Sequence, residues 1–212
     1  MRIGELSRRS GVPVPTIKFY VREGLLPAGR LTSPNQASYD DGHERGLRLI
    51  RALLDVGGLP LAAIGEVLRV MKDPEQPLFD VLGAAAKSIA PVRGVDSGPE
   101  LEDAREEVAE LLKRKGWRAG ADSPGGESLA EVLVALRGAG HGSFAELLDD
   151  YAAAAEEVAR ADLDYVGRRV AREDLVESVV VGTVLGEAMF AALRRLAHVD
   201  ASARAFGEEA GG

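Results

Sequence analysis

Apolar residues recur at helical spacing along most of this chain, and the breaks between them are marked by glycine and proline. Leu6 is the inward residue of a first short segment, 3–9, with Gly11 just past its end as a C-terminal stop. Val14, Ile17 and Val21 fall at i, i+3 and i+7, which predicts a second helix over 14–23 closed by Gly24. Only Gly11, Val12 and Pro13 stand between the two, so the pair reads as a helix-turn-helix. Residues 28–38 lose the helical period and collect turn formers, Ser33-Pro34-Asn35 above all, as in a small hairpin or wing. A third helix opens at Asp40 or Asp41 and runs to about residue 56 on a stripe of Leu47, Ile50 and Leu54, until Gly57-Gly58 ends it. Pro60 suits the first turn of a fourth, which carries Leu61, Ile64, Leu68 and Met71 on one face.

Beyond Lys72 the texture changes. Asp73-Pro74 and Pro77 precede a predicted helix over 78–89, and a polar linker covers 93–98. From Pro99 to Lys115 the apolar residues Leu101, Ala104, Val108 and Leu111 form a narrow seam amid heavy charge. Such a seam serves a two-helix coiled contact or packing inside one chain. Ser128 with Glu131 and Ser143 with Glu146 are capping-box patterns, predicting helices over 129–137 and 144–166. The last helix, about 172–197, is apolar around much of its circumference (Val179, Leu185, Met189, Leu193), as expected of a helix central to a bundle. Residues 202–212 read as a frayed tail.

Composition narrows the chemistry. Aromatics make up 5% of the 212 residues, and cysteine is absent, so disulfides, thiolate metal sites and cysteine nucleophiles are excluded. His43, His141 and His198 are scattered without ligand spacing, so no metal site and no cofactor are expected. No window reaches the roughly 18 apolar residues of a membrane span, and the charged first residues do not read as a signal peptide. A cytoplasmic protein is expected. No G-x-S-x-G elbow or P-loop is present, and catalytic residues are expected to be none.

Charge is unevenly shared. The formal net charge is −8, yet residues 1–72 hold 11 Lys and Arg against 7 Asp and Glu, a surplus of +4, and the remainder carries −12. A basic head on an acidic body points to a polyanion at the head. Lys18 and Arg22 are i and i+4 on the second helix, away from Ile17 and Val21, with Thr16 and Tyr20 as the adjoining row. Two cations, a hydroxyl and a phenol on one side suit groove and phosphate contact. Tyr20 has a second reading as a core residue.

The stretches IGELSRRSGV, TIKFYVREGLL and SYDDGHERGLRLIRALLDVGGLPLAAIGEVL resemble the MerR family of transcriptional regulators in order and spacing, over about residues 1–70. The resemblance implies a winged helix-turn-helix, homodimer formation, and binding to a palindromic operator within a promoter spacer, with RNA polymerase as a further partner. It makes the second helix the recognition helix. Where the family wing carries an aromatic and an arginine, this chain has Gln36 and Ala37, leaving Tyr39, with Arg30 as the replacement phosphate contact. Pro13 stands where the family has a serine cap, and Gly46 where it has a bulkier residue.

The expected fold class is mainly α: a winged helix-turn-helix with a small β wing over 1–72, a connecting helix and linker over 73–98, and a C-terminal α-helical bundle over 99–212. The DNA-binding set is Thr16, Lys18, Tyr20, Arg22, Arg30 and Tyr39. A helical bundle can hold a small organic effector between its helices. Trp117, Tyr151, Tyr165 and Glu187 are its candidate contacts, each also readable as packing or solvated surface. Two functions stay open: an effector-responsive regulator of double-stranded DNA, or an architectural DNA binder whose C-terminal part dimerises or binds a protein.

Overall fold

The computed structural model describes residues 1–33, 36–72, 83, 98–168 and 172–206. The predicted helix over 78–89, Gly83 apart, and nearly all of the linker over 93–98 lie outside the described residues, as do Pro34 and Asn35 of the wing tip. Two compact units are present, one made of Met1–Pro77 with Val180–Gly212 and the other of Leu78–Val179.

In the first unit, α1 (Ile3–Ser10) and α2 (Val14–Arg22) are joined by a turn in which Gly11 adopts φ 70°. Only glycine takes that left-handed conformation without a steric cost, and its N–H donates to Ser7 O at 2.9 Å to close α1. The Ser7 hydroxyl donates to Val12 O, which ties the turn back to α1, and the Ser10 hydroxyl donates to Leu6 O within the helix, each at 2.7 Å. Strands β1 (Arg30–Ser33) and β2 (Gln36–Ser38) form the antiparallel wing, pairing Arg30 with Ser38 and Leu31 with Ala37, with an irregularity between Leu31 and Ser33.

Helix α3 (Asp41–Arg51) begins at an Asp40 cap, as expected, but its α-helical part stops earlier than 56. Ala52–Val56 continues as a wider π turn. Helix α4 (Leu61–Lys72) follows. Leu6, Ile17, Leu26, Leu47, Ile50, Leu53 and Ile64 are fully buried and make the core of this unit.

In the second unit, α5 (Pro99–Lys115) packs its seam of Leu101, Ala104 and Val108 against Ala130 and Leu133 of α6 (Pro124–Gly138). The seam is therefore filled from within the chain. Helix α6 starts about five residues before the expected position because Ser123, not Ser128, is its cap, accepting from Gly126 N–H at 3.2 Å with Pro124 in the first turn. Ser143 is likewise not a cap. Gly142–Leu147 forms a 3-10 turn that leads into α7 (Leu148–Val166).

Helix α8 (Arg172–Phe206) is longer than predicted and extends into the expected tail. Val179, Val180 and Val184 are buried, but from Met189 onward its large apolar side chains are exposed, so it does not lie at the centre of a bundle.

Candidate nucleic-acid interface

Helix α2 turns one face to the core and the other outward. Ile17 is fully buried, while Lys18 and Arg22 are exposed and Thr16 is half-exposed. Tyr20 departs from the expected exposed row. It is only 5% exposed because it stands three residues after Ile17 and shares that residue's core-facing stripe. The outward face thus carries a hydroxyl and two cations.

The two cations differ electrostatically. Arg22 Nε lies 3.0 Å from Glu23 Oε1, and its guanidinium sits 5.3 Å from the Phe19 ring centre. Lys18 has no ion pair among the described residues. Arg30, exposed on β1, also has none among them. The remaining arginines of the unit are largely engaged: Arg9 and Arg48 with Glu44, and Arg51 with Asp55.

Tyr39 also departs from an exposed contact role. Its ring is buried edge-on against His43, with centres 5.1 Å apart, and its N–H donates to Met1 O at 2.9 Å. Gly29 makes room for it, since a Cβ there would lie 2.9 Å from the ring. The tyrosine anchors the wing to α3 and the first residue. Just beyond it, Asp40 accepts from His43 N–H at 3.2 Å, and the two side chains meet at 2.6 Å. The bond from His43 holds the Asp40 carboxyl below its ordinary range.

Two outward residues escaped the sequence reading. Arg8 is exposed on α1 and unpaired among the described residues; its position two after the buried Leu6 was the available signal. Leu31 is 75% exposed on the wing, which alternation in so short a strand does not reveal.

The candidate effector residues lie on three different segments and in both units. Trp117 donates its indole N–H to Glu156 at 2.8 Å, and Tyr151 lies 6.0 Å from Phe144, ring centre to ring centre, both exposed. Tyr165 is exposed on α7. Glu187 is exposed on α8 and belongs to the other unit. Among the described residues no group of His, Asp and Glu could hold a metal ion, and no helix is long and apolar enough to cross a membrane.

Comparison with known proteins follows the same lines. The family model described as MerR HTH family regulatory protein matches residues 1–70. The heavy metal-dependent transcription regulator 2 of Rhizobium meliloti is 32% identical over 90 residues, which are 42% of this chain and 60% of that protein. The chain thus spans less than two thirds of that relative. The HTH-type transcriptional regulator PA4778 of Pseudomonas aeruginosa is 30% identical over 112 residues, covering 52% of this chain and 83% of its own length. The crystal structure of SCO5550, a candidate transcriptional regulator from Streptomyces coelicolor A3(2), is similar over 99% of both chains, with a TM-score of 0.72 and 37% identity. On its helix-turn-helix, its wing and these full-length and partial likenesses, the chain belongs to the MerR family of helix-turn-helix regulatory proteins.

Proposed function

We propose that this protein is a transcriptional regulator that binds a palindromic promoter operator in double-stranded DNA as a homodimer. Residues 1–72 are the DNA-binding part and α2 is the helix that enters the major groove. The observation that carries this reading is the outward face of α2: Lys18 is exposed without an ion pair among the described residues, next to Thr16 and one turn from Arg22. A cation held on a rigid helix without an internal partner can neutralise a phosphate and release its counterion. Arg30 supplies a second contact from the wing. Tyr20 and Tyr39 act from beneath, as the packing that fixes the angles of α2 and the wing. RNA polymerase is the proposed further partner at the promoter.

The effector, in this reading, is organic. The metal dependence stated for the Rhizobium meliloti relative does not carry over, because a chain without cysteine has no thiolate to offer a soft metal ion. The exposed aromatics of residues 99–166, with Glu156 beside Trp117, suit a flat or cationic organic molecule.

Binding of fluorescent duplexes drawn from genome-wide binding sites tests the first claim. Saturable binding with a two-fold sequence pattern is expected; no binding to any duplex at low salt removes the reading. A thermal-shift screen with organic metabolites tests the second, since a ligand at 100 times its dissociation constant adds about 2.7 kcal/mol.

A further inference from the structure

Leu31 of β1 is 75% exposed, and among the described residues of 1–72 it is the one leucine left on the surface. An isolated exposed leucine is ordinary. What sets this one apart is where it is held. Adjacent strand residues point to opposite faces, so Leu31 shares a face with its partner across the hairpin, Ala37, while Arg30 and Ser38 take the other. Ala37 has only a methyl group to offer and leaves the leucine side chain uncovered. The hairpin is tied beside it: the Thr32 hydroxyl donates to Gln36 O at 3.2 Å, and the buried Tyr39 follows directly on Ser38. The surroundings suit a polyanion. Residues 24–39 include no Asp or Glu, although 34 of the 212 residues are acidic. Arg30, next to Leu31, is exposed without an ion pair among the described residues.

We propose that Leu31 enters the minor groove of the operator and packs its side chain against the sugars and base edges there. The inference rests on the DNA-binding reading above and assigns what the wing adds to it. With α2 in the major groove, an appended segment reaches the minor groove next to it. That groove has walls of deoxyribose and a floor of base edges, and apolar side chains inserted into it open base steps. A phosphate contact needs a donor, which leucine lacks. Leu31 therefore adds affinity without counterion release, and does so according to the shape of the groove rather than its charge. Guanine sets the selectivity. Its 2-amino group stands in the minor groove, where A·T pairs offer only acceptors. A leucine side chain over guanine loses room and desolvates a donor that it cannot satisfy, so the wing favours A·T over G·C at the pair beneath it.

Fluorescence anisotropy with the full chain and duplexes taken from its genome-wide binding sites tests this. Leu31→Asn keeps nearly the same size and is expected to weaken specific binding by about tenfold or more, through loss of the apolar contact. The slope of log affinity against log salt and the melting temperature of the protein are expected to stay as in the wild type. Arg30→Ala is the contrast and is expected to lower that slope by about one unit. A scan of G·C and inosine·C pairs through the site then reads the groove, because inosine lacks only the 2-amino group of guanine. At a pair beneath the wing the wild type is expected to bind G·C about fivefold more weakly than inosine·C, and Leu31→Ala is expected to bind the two alike. Affinity unchanged by Leu31→Asn, or the same discrimination in Leu31→Ala as in the wild type, overturns the proposal and leaves the DNA-binding reading standing. So does a loss of the leucine's contribution when uracil replaces thymine, which would place it on a methyl group in the major groove. A wild-type chain that binds no duplex at low salt overturns both.

Discussion

Arg9 of α1 and Glu44 of α3 form an ion pair at 2.6 Å between Nε and Oε2, with the Glu44 side chain only 6% exposed. Arg48 approaches the same carboxylate from one turn along α3. A charged group at such depth is held by its partners, and here they bind the first helix of the DNA-binding unit to the third. Glu44→Ala is expected to lower the stability of this unit by about 1–3 kcal/mol, because Arg48 loses its hydrogen-bond acceptor and Arg9 its counter-charge. Arg9→Ala should cost less, since Arg48 remains. Urea unfolding followed by circular dichroism measures both, and a double-mutant cycle that returns no coupling between residues 9 and 44 would remove the tie.

Lys18 and Tyr20 stand two residues apart on α2 and should behave oppositely. Lys18→Ala is expected to weaken duplex binding and to reduce the slope of log affinity against log salt by about one unit, with stability nearly unchanged. Tyr20→Phe is expected to leave the salt slope alone, because the ring is buried. Tyr20→Ala is expected to destabilise the unit by about 3–5 kcal/mol through the cavity it leaves. Fluorescence anisotropy across a salt series separates the two; a salt slope altered by Tyr20→Phe would return that residue to the interface.

Periodicity made the early helices legible. The spans of α1 and α2 fall within a residue or two of their expectation, since Gly11 and Gly24 punctuate a clear stripe. What escaped did so for identifiable reasons. Tyr20 carries a polar tip on an apolar body, so composition alone leaves its side undecided. Glu44 drew no notice in the sequence, because the Arg9 that makes it a buried tie stands 35 residues earlier. Ser128 with Glu131 fits a capping box, yet Pro124 starts the helix earlier and Ser123 takes the role. On α8 the apolar pattern was visible, but a pattern cannot say whether a face is covered by its own chain or by another.

Acid should loosen the start of α3. The Asp40 carboxyl is held below its ordinary range mainly by the side-chain bond from His43, with the His43 N–H adding to it. A carboxyl with a lowered folded value stabilises the fold above the unfolded value of about 4, and that stabilisation is lost as pH falls through the folded value. Asp40→Ala should therefore lower the melting temperature at pH 7, and the gap from wild type should narrow as pH drops below about 4. Differential scanning calorimetry between pH 7 and 3 checks it. A gap of constant size would show that the cap does not depend on the carboxylate charge.

Gly57 and Gly58 are adjacent, yet each is required for a different reason. Gly57 has an ordinary φ of −71°, so a side chain there meets no backbone strain. A Cβ on it would instead overlap Val184 Cγ1 and lie 2.7 Å from Leu53 O, within the space that α8 occupies beside the π turn. Gly58 has open space around it but a φ of 68°, which side chains rarely adopt. Gly57→Ala is expected to cost about 1–3 kcal/mol by overpacking. Gly58→Ala should cost about 1–2 kcal/mol by strain. Val184→Ala distinguishes the two, because trimming that side chain opens room only at Gly57. Combined with Gly57→Ala it should recover part of the loss, the contact with Leu53 O remaining; combined with Gly58→Ala its effect should simply add. Equal behaviour of the two pairs in denaturant unfolding would mean that Val184 does not press on the turn.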